Sequence, residues 1–285
     1  MRPTESVDGS ETDASISHSS QTTHLSTLGV LKSALGRIRR DPALATPFAV
    51  VGVLIALADW LRQYDPIPVA STDALSQSIS IQYAVLPQGT ARTVRHVGAL
   101  ADLKTRYLLW ATGLEVLVPL AVGIAGWVTI ALALNRHPRL RALSRYLIAL
   151  AVIASIPQLL GGYSVDINNF LFGLVLLAMV LFVLTRLYLF PALLVTGSGF
   201  VTALRQSYRR SHGQTMTIAG LIIVIGLAYW GLATVPVAGG FLSTAVVAPI
   251  HAVTIGTIFS ADSRGTESTP VNQIEAKDTG LDGNR

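Results

Sequence analysis

The chain has 285 residues, of which 51% are hydrophobic and 13% charged, with a formal net charge of +5. A soluble domain carries about 25% charged residues; half that fraction, with a mean hydropathy of +0.54, excludes an ordinary soluble enzyme and a disordered chain alike. The absence of cysteine rules out a disulfide framework, a thiolate metal site and a thiol nucleophile.

The chain opens on Ser and Thr with Glu5, Asp8, Glu11 and Asp13 and almost no large apolar side chain, which predicts a disordered tail over 1–27. It lacks the basic-then-apolar layout of a cleaved signal. Leu28, Leu31, Leu35 and Ile38 then recur three or four apart, while Lys32, Arg37, Arg39 and Arg40 crowd the other side. This spacing predicts a short amphipathic helix on the membrane surface, stopped by Asp41-Pro42.

A membrane crossing takes about 20 apolar residues. Runs near 43–61, 113–134, 146–165, 167–186, 215–234 and 240–260 meet that requirement and predict an all-α, polytopic helix bundle of six spans over 28–260. The turn signal Gly161–Asp166 makes the third and fourth spans a tight helical hairpin. Residues 213–261 run for 49 positions without Asp, Glu, Lys or Arg. One helix of that length would measure roughly 73 Å, more than twice the hydrocarbon core, so Val235–Gly240 marks a reversal. Leu187–Leu204 is also free of charge, but Pro191, Gly197 and Gly199 interrupt it and no loop precedes it at Arg186. Residues 187–199 then form a kinked extension of the fourth span or a shallow re-entrant piece, and 200–212 a second basic interfacial helix. A disordered tail is expected over 261–285.

With six spans, 16 of the 21 basic residues fall on the side of the tails and of loops 135–145 and 186–214. The positive-inside rule makes that side cytoplasmic, with both termini in the cytoplasm of a cell-membrane protein. The pI near 9.7 follows from these bases beside apolar runs, so nucleic acid is not an expected partner. In the outer loop 63–106, Ile79, Ile81, Tyr83 and Val85 alternate with polar or small residues. That period predicts a strand, turned at Pro87-Gln88-Gly89 and returning over Thr90–Val94 as a small extracytoplasmic β-hairpin. Residues 97–107 read as an interfacial helix leading into the second span.

Arg186-Leu187-Tyr188-Leu189-Phe190-Pro191-Ala192-Leu193-Leu194-Val195, followed by Ala203–Tyr208 and His212-Gly213, resembles the membrane domain found beside some glycerophosphoryl diester phosphodiesterases. The segment 79–115, with its Pro-Gln-Gly turn and Leu103–Trp110, is similar to uncharacterised membrane proteins of halophilic archaea. The resemblance implies a helical membrane domain. It does not imply phosphodiesterase activity, which needs a soluble barrel with metal-binding carboxylates and a His pair.

Asp59, Glu115 and His251 are the titratable side chains inside or at the edge of the spans, where an unpaired charge is costly. Asp59 and Glu115 lie about one turn from the outer ends of antiparallel spans. They either share a cation or proton site or are interfacial carboxylates paired with Arg62, Lys104 or Arg106. His251 falls mid-span, with Thr254 and Thr257 on the same helix, and is expected to pack by hydrogen bonding; a proton relay is the alternative. Arg205, Arg209 and Arg210, with Phe200, Leu204 and Tyr208 at four-residue steps, make an amphipathic face suited to anionic lipid headgroups. No catalytic, cofactor or metal constellation is present in the pattern, so no enzyme and no cofactor are expected. The expected function is a membrane protein that organises lipid or partner proteins. The alternative is a transporter or permease component, suggested by Pro119, Pro157, Pro191, Pro236 and Pro249 and the intramembrane polar groups.

Overall fold

In the computed structural model, which describes residues 26–64, 70–71, 85–87, 89, 93–94, 104–137, 139–159, 170–236 and 238–267, the chain enters its first helix at Ser26. The Ser26 Oγ accepts the Gly29 amide at 3.0 Å, a side-chain cap. The helices are α1 (Thr27–Arg40), α2 (Thr46–Gln63), α3 (Thr105–Ala133), α4 (Leu140–Leu159), α5 (Phe170–Leu187), α6 (Phe190–Val195), α7 (Phe200–Arg210), α8 (Thr215–Ala233), α9 (Gly239–Leu242) and α10 (Ala248–Glu267). A π turn, Ser243–Val247, joins α9 to α10, and a 3-10 turn, Ser211–Gln214, joins α7 to α8.

Among the described residues five helical stretches are long and apolar enough to cross a membrane: Pro42–Gln63, Thr105–Ala133, Gly173–Val195, Phe200–Ala233 and Gly239–Ser263. The molecule is therefore an all-α membrane protein. The expected third span, 146–165, corresponds to α4, which starts earlier and is described as far as Leu159. The interior is built by α10 and α3, whose spans are 67% and 56% buried, while Gly173–Val195 and Phe200–Ala233 are each 28% buried and form the periphery. Small residues set the closest approaches. A Cβ on Gly123 would lie 2.6 Å from Leu150 Cδ2, one on Gly126 would lie 2.7 Å from Tyr146 Oη, and one on Gly256 would lie 3.0 Å from Ala133 Cβ. Close backbone approach of this kind is how membrane helices gain dispersion contact where apolar burial alone does not separate protein from lipid.

Several sequence expectations are corrected. The helix α1 packs on α10 and α8 and does not lie free on a surface. Its buried face is Val30 and Ala34, with Ala34 clustering with Leu44, Ala133 and Val253, whereas Leu28 and Leu35 are exposed. Smaller side chains admit the helix to the bundle, and the leucines stay on its exposed face. Thr27 Oγ1 donates to the Thr217 carbonyl at 3.3 Å and fixes the same end of α8. The expected hairpin turn lies outside the described residues; α4 packs on α3 and α6, and α5 packs on α8 and α7. The segment 187–199 is a kinked extension: all six residues of α6 are buried, against α3, α4 and α10. The segment 200–212 continues through the 3-10 turn into α8 as one 34-residue stretch. The last helix runs to Glu267, past the expected start of the tail, and residues 1–25 and 268–285 lie outside the described residues.

The expected β-hairpin is not the arrangement found. Ala70 pairs with Val94 and Ser71 with Thr93 in a two-residue antiparallel bridge. Residues 79–84 of the expected strand lie outside the described residues, and Val85 and Leu86, its continuation, are buried in the bundle. A two-stranded hairpin is marginal by itself, and burying these apolar side chains against the helices is the stronger term. Of the expected interfacial helix 97–107, residues 105–107 belong to α3 and 97–103 lie outside the described residues.

One end of the bundle gathers arginines. Asn135, with φ 51°, closes α3 while the Arg136 amide bonds the Ala131 carbonyl at 3.0 Å, and Gly197, with φ 97°, closes α6 with Ser198 bonding Leu193 in the same way. Arg145 Nη1 then donates to the Gly197 carbonyl at 2.7 Å, tying the start of α4 to the α6–α7 turn. Arg210 reaches Asp262 of α10 at 3.5 Å. Ala34 of α1 and Val253 of α10 cluster with Ala133 at the close of α3, so the first and last helices also meet at this end.

Candidate functional site

At the opposite end, the sequence places Asp59 and Arg62 one turn apart on α2, so both project on one face toward α3. Arg62 is 2% exposed and spans two carboxylates: Nη1 lies 3.2 Å from Asp59 Oδ1 and Nη2 lies 3.1 Å from Glu115 Oε1. The planar fork of a guanidinium suits such bridging, which an ammonium would serve as a point charge. Asp59 sits four residues before the end of α2, as expected. Glu115 is deeper than one turn, because α3 begins at Thr105; ten residues place it about 15 Å from that end. Pro119 lies one turn further and has no N–H, so the Glu115 carbonyl lacks its helical donor and the backbone is opened beside the carboxylates.

The connection between α2 and α3 enters the bundle here. Val85, Leu86 and Pro87 are buried, and a Cβ on Gly89 would overlap Ile55 Cδ1 and lie 2.9 Å from Val122 Cγ2 and 3.2 Å from Thr244 Oγ1. Ile55 is a turn deeper than Asp59 on α2, and Val122 two turns deeper than Glu115 on α3. Irregular backbone thus descends past the ion cluster to the π turn, where Ser243 and Thr244 are fully buried. Single π turns inside helices recur at functional sites.

His251, on α10, belongs to an aromatic cluster. Its ring lies 5.9 Å from that of Tyr188 and 6.4 Å, edge-on, from that of Tyr229. Thr254 Oγ1 donates to the His251 carbonyl at 2.7 Å and thus accepts from Tyr188 Oη at 2.8 Å. This chain of hydroxyls fastens the α5–α6 kink to α10. The threonine meets the histidine's backbone, and the ring lies beside those of Tyr188 and Tyr229.

No family model, no curated protein and no solved structure matches the chain. Its chemistry is therefore read from its own groups.

At the arginine-rich end, α7 buries Ala203 and Ser207, and Ser207 Oγ donates to the Arg186 carbonyl at 2.6 Å. Small residues four apart bring α7 against α5 and turn the opposite face outward. There Phe200, Leu204 and Tyr208 are 42%, 41% and 51% exposed, with Arg205 and Arg209 exposed beside them. Arg210 departs from the expected trio: it turns inward to Asp262, with its guanidinium 5.3 Å from the Phe259 ring. The residues that pattern reasoning missed are Tyr188, the inserted Val85–Gly89 segment and the burial of Arg186. Tyr188 stood inside an unbroken apolar run, so only its hydroxyl hinted at a polar contact.

Proposed function

We propose that the protein is a six-span, non-enzymatic membrane protein whose cytoplasmic, arginine-rich end gathers anionic lipids and the partners that share them. The supporting observation is the outward face of α7, where an aromatic and aliphatic row lies beside two exposed arginines. A row of this kind inserts at the acyl boundary while the guanidinium groups reach phosphates. Six spans follow if α4 crosses, since its 20 residues extend about 30 Å. The likeness of 186–213 to a phosphodiesterase-associated membrane domain is compatible with this reading.

Each surface arginine contributes about 1 kcal/mol to anionic-lipid attraction, so Arg205→Gln with Arg209→Gln should weaken it about 30-fold at low salt. The measurement is the ratio of phosphatidylglycerol to phosphatidylcholine that copurifies from mixed nanodiscs. An unchanged ratio in the double variant would refute the proposal.

A second reading, a transporter component, is favoured by irregular backbone descending between α2, α3 and the π turn past Asp59, Arg62 and Glu115. Non-helical backbone at membrane depth is tolerated where it is buried in protein or lines a cavity. Under this reading, vesicles carrying the protein pass protons or monovalent cations, and Asp59→Asn or His251→Ala slows the flux severalfold. Flux no greater than in protein-free vesicles would eliminate it.

A further inference from the structure

Arg186 ends α5 with its side chain drawn into the protein. The residue is 8% exposed, and its guanidinium carbon lies 4.8 Å from the Phe182 ring centroid and 5.1 Å from that of Tyr208. Its Nε and Nη1 are shielded and meet no acceptor among the described residues, and no carboxylate pairs with it there. Other arginines near the membrane are served differently: Arg62 has Asp59 and Glu115, Arg145 has the Gly197 carbonyl, and Arg210 has Asp262. A shielded guanidinium with unmade hydrogen bonds is strongly disfavoured. Two ring faces offset only part of that cost.

The surroundings supply donors. Ser207 sets α7 against the end of α5, and the 3-10 turn and α8 that follow also touch α5, so the two stretches run antiparallel. A helical side chain leans toward its own N-terminus, which carries the guanidinium back over Phe182 and toward the level of Ser211, one turn beyond Ser207. Ser211 Oγ is buried and also lacks a partner among the described residues. Guanidinium and hydroxyl together make a donor set for an oxyanion. Arg186 stands one residue before the end of α5, at the kink into α6 and beside the basic helix α7. Phe182 and Tyr208 are each half exposed and form the outer lips of the site.

We propose that Arg186, between Phe182 and Tyr208 and with Ser211 alongside, binds one phosphate oxyanion: the phosphodiester of an anionic lipid headgroup, or a free phosphate. The inference rests on the anionic-lipid reading above and adds a discrete, stoichiometric site to what was there a surface. An aromatic pair holding a planar guanidinium also explains why lysine should not substitute, since an ammonium neither stacks flat nor forks.

The test takes the full chain through nanodiscs containing phosphatidylglycerol, washes it in uncharged detergent and counts retained lipid phosphorus per chain. In a second arm, lipid-stripped protein receives millimolar inorganic phosphate and its thermal midpoint is read. Wild type is expected to keep one phosphatidylglycerol, and Arg186→Gln and Arg186→Lys to lose it by tenfold or more. Arg205→Gln with Arg209→Gln should keep that lipid while losing the broader enrichment. A phosphate-raised midpoint in wild type and not in Arg186→Lys, without retained lipid, identifies free phosphate as the ligand of the same site. If Arg186→Gln elutes aggregated, Arg186→Lys, which keeps the charge, decides. Wild-type behaviour of Arg186→Lys in both arms overturns the site whatever the surface arginines do. Loss only in the Arg186 variants keeps the site and removes the surface reading.

Discussion

Exchanging Arg62 for methionine is expected to lower the unfolding free energy by about 3–5 kcal/mol, the range for removing one partner of a buried ionic network. The guanidinium is 2% exposed, with Asp59 at 3.2 Å and Glu115 at 3.1 Å. Methionine fills much of the volume but leaves Asp59, 7% exposed, without this cation. Most of the expected loss is the cost of the abandoned charge, and little of it is the net worth of the pair. Removing all three charges, as Asp59→Asn, Arg62→Met and Glu115→Gln together, should therefore recover much of the loss. Denaturation of both variants in nanodiscs checks this. A single Arg62→Met variant as stable as wild type would show that the bridge holds nothing together.

Gly239→Ala should be nearly as damaging, for a steric reason. A Cβ there would overlap the Ala233 carbonyl oxygen and lie 2.9 Å from its carbon and 3.1 Å from the Leu232 oxygen. These are backbone atoms at the end of α8, and they cannot rotate aside as a side-chain tip can. Forcing them apart would open the turn that starts α9 and carries the chain to the π turn. Overpacking typically costs about 1–3 kcal/mol, and rigid backbone places this site at the upper end. Gly231→Ala is the control: inside α8, with nothing within 4 Å of its would-be Cβ, it should be neutral or stabilising by up to about 1 kcal/mol. The two substitutions should shift the thermal midpoint in opposite directions. Equal shifts would mean that the chain does not double back so closely after Ala233.

The anionic-lipid and phosphate proposals concern the other end of the molecule and are separable from these effects. Neither Arg205 nor Arg209 bears on the core, so their replacement should alter bound lipid while leaving the midpoint unchanged. Arg186 is intermediate, because its ring contacts also help dock α7 on α5. That is why its test relies on the lysine variant and on bound phosphorus.

Long charge-free runs were enough to identify a helical membrane protein, because lipid offers backbone groups no partner and the helix satisfies them within one segment. The same local logic located the reversal at Val235–Gly240, the stop at Asp41-Pro42 and the outward row Phe200, Leu204 and Tyr208. Periodicity registers hydrophobicity, however, and in a bilayer both the lipid-facing and the protein-facing sides are apolar. It therefore could not say that α1 turns Val30 and Ala34 inward and leaves Leu28 and Leu35 outside, or that α6 is buried against α3, α4 and α10. Those choices depend on side-chain size and close approach, which are decided only when the helices meet.

Alternation over 79–85 suggested a strand, yet Val85 and Leu86 enter the bundle, since the helices offer them more apolar contact than a lone hairpin could. Charge placement shows the same division. Asp59, Arg62 and Glu115 were visible as polar residues near span ends, but their union needed the crossing of α2 and α3 and the depth at which α3 begins. Arg210 and Arg186 look alike in the chain, and only packing gives one a carboxylate and the other two aromatic faces. Sequence alone set which segments leave water and which end is basic, because those are sums over local composition. Which polar groups meet across 50 or more residues is a property of tertiary geometry, because a hydrogen bond or ion pair depends on ångström-scale distances that no local pattern encodes.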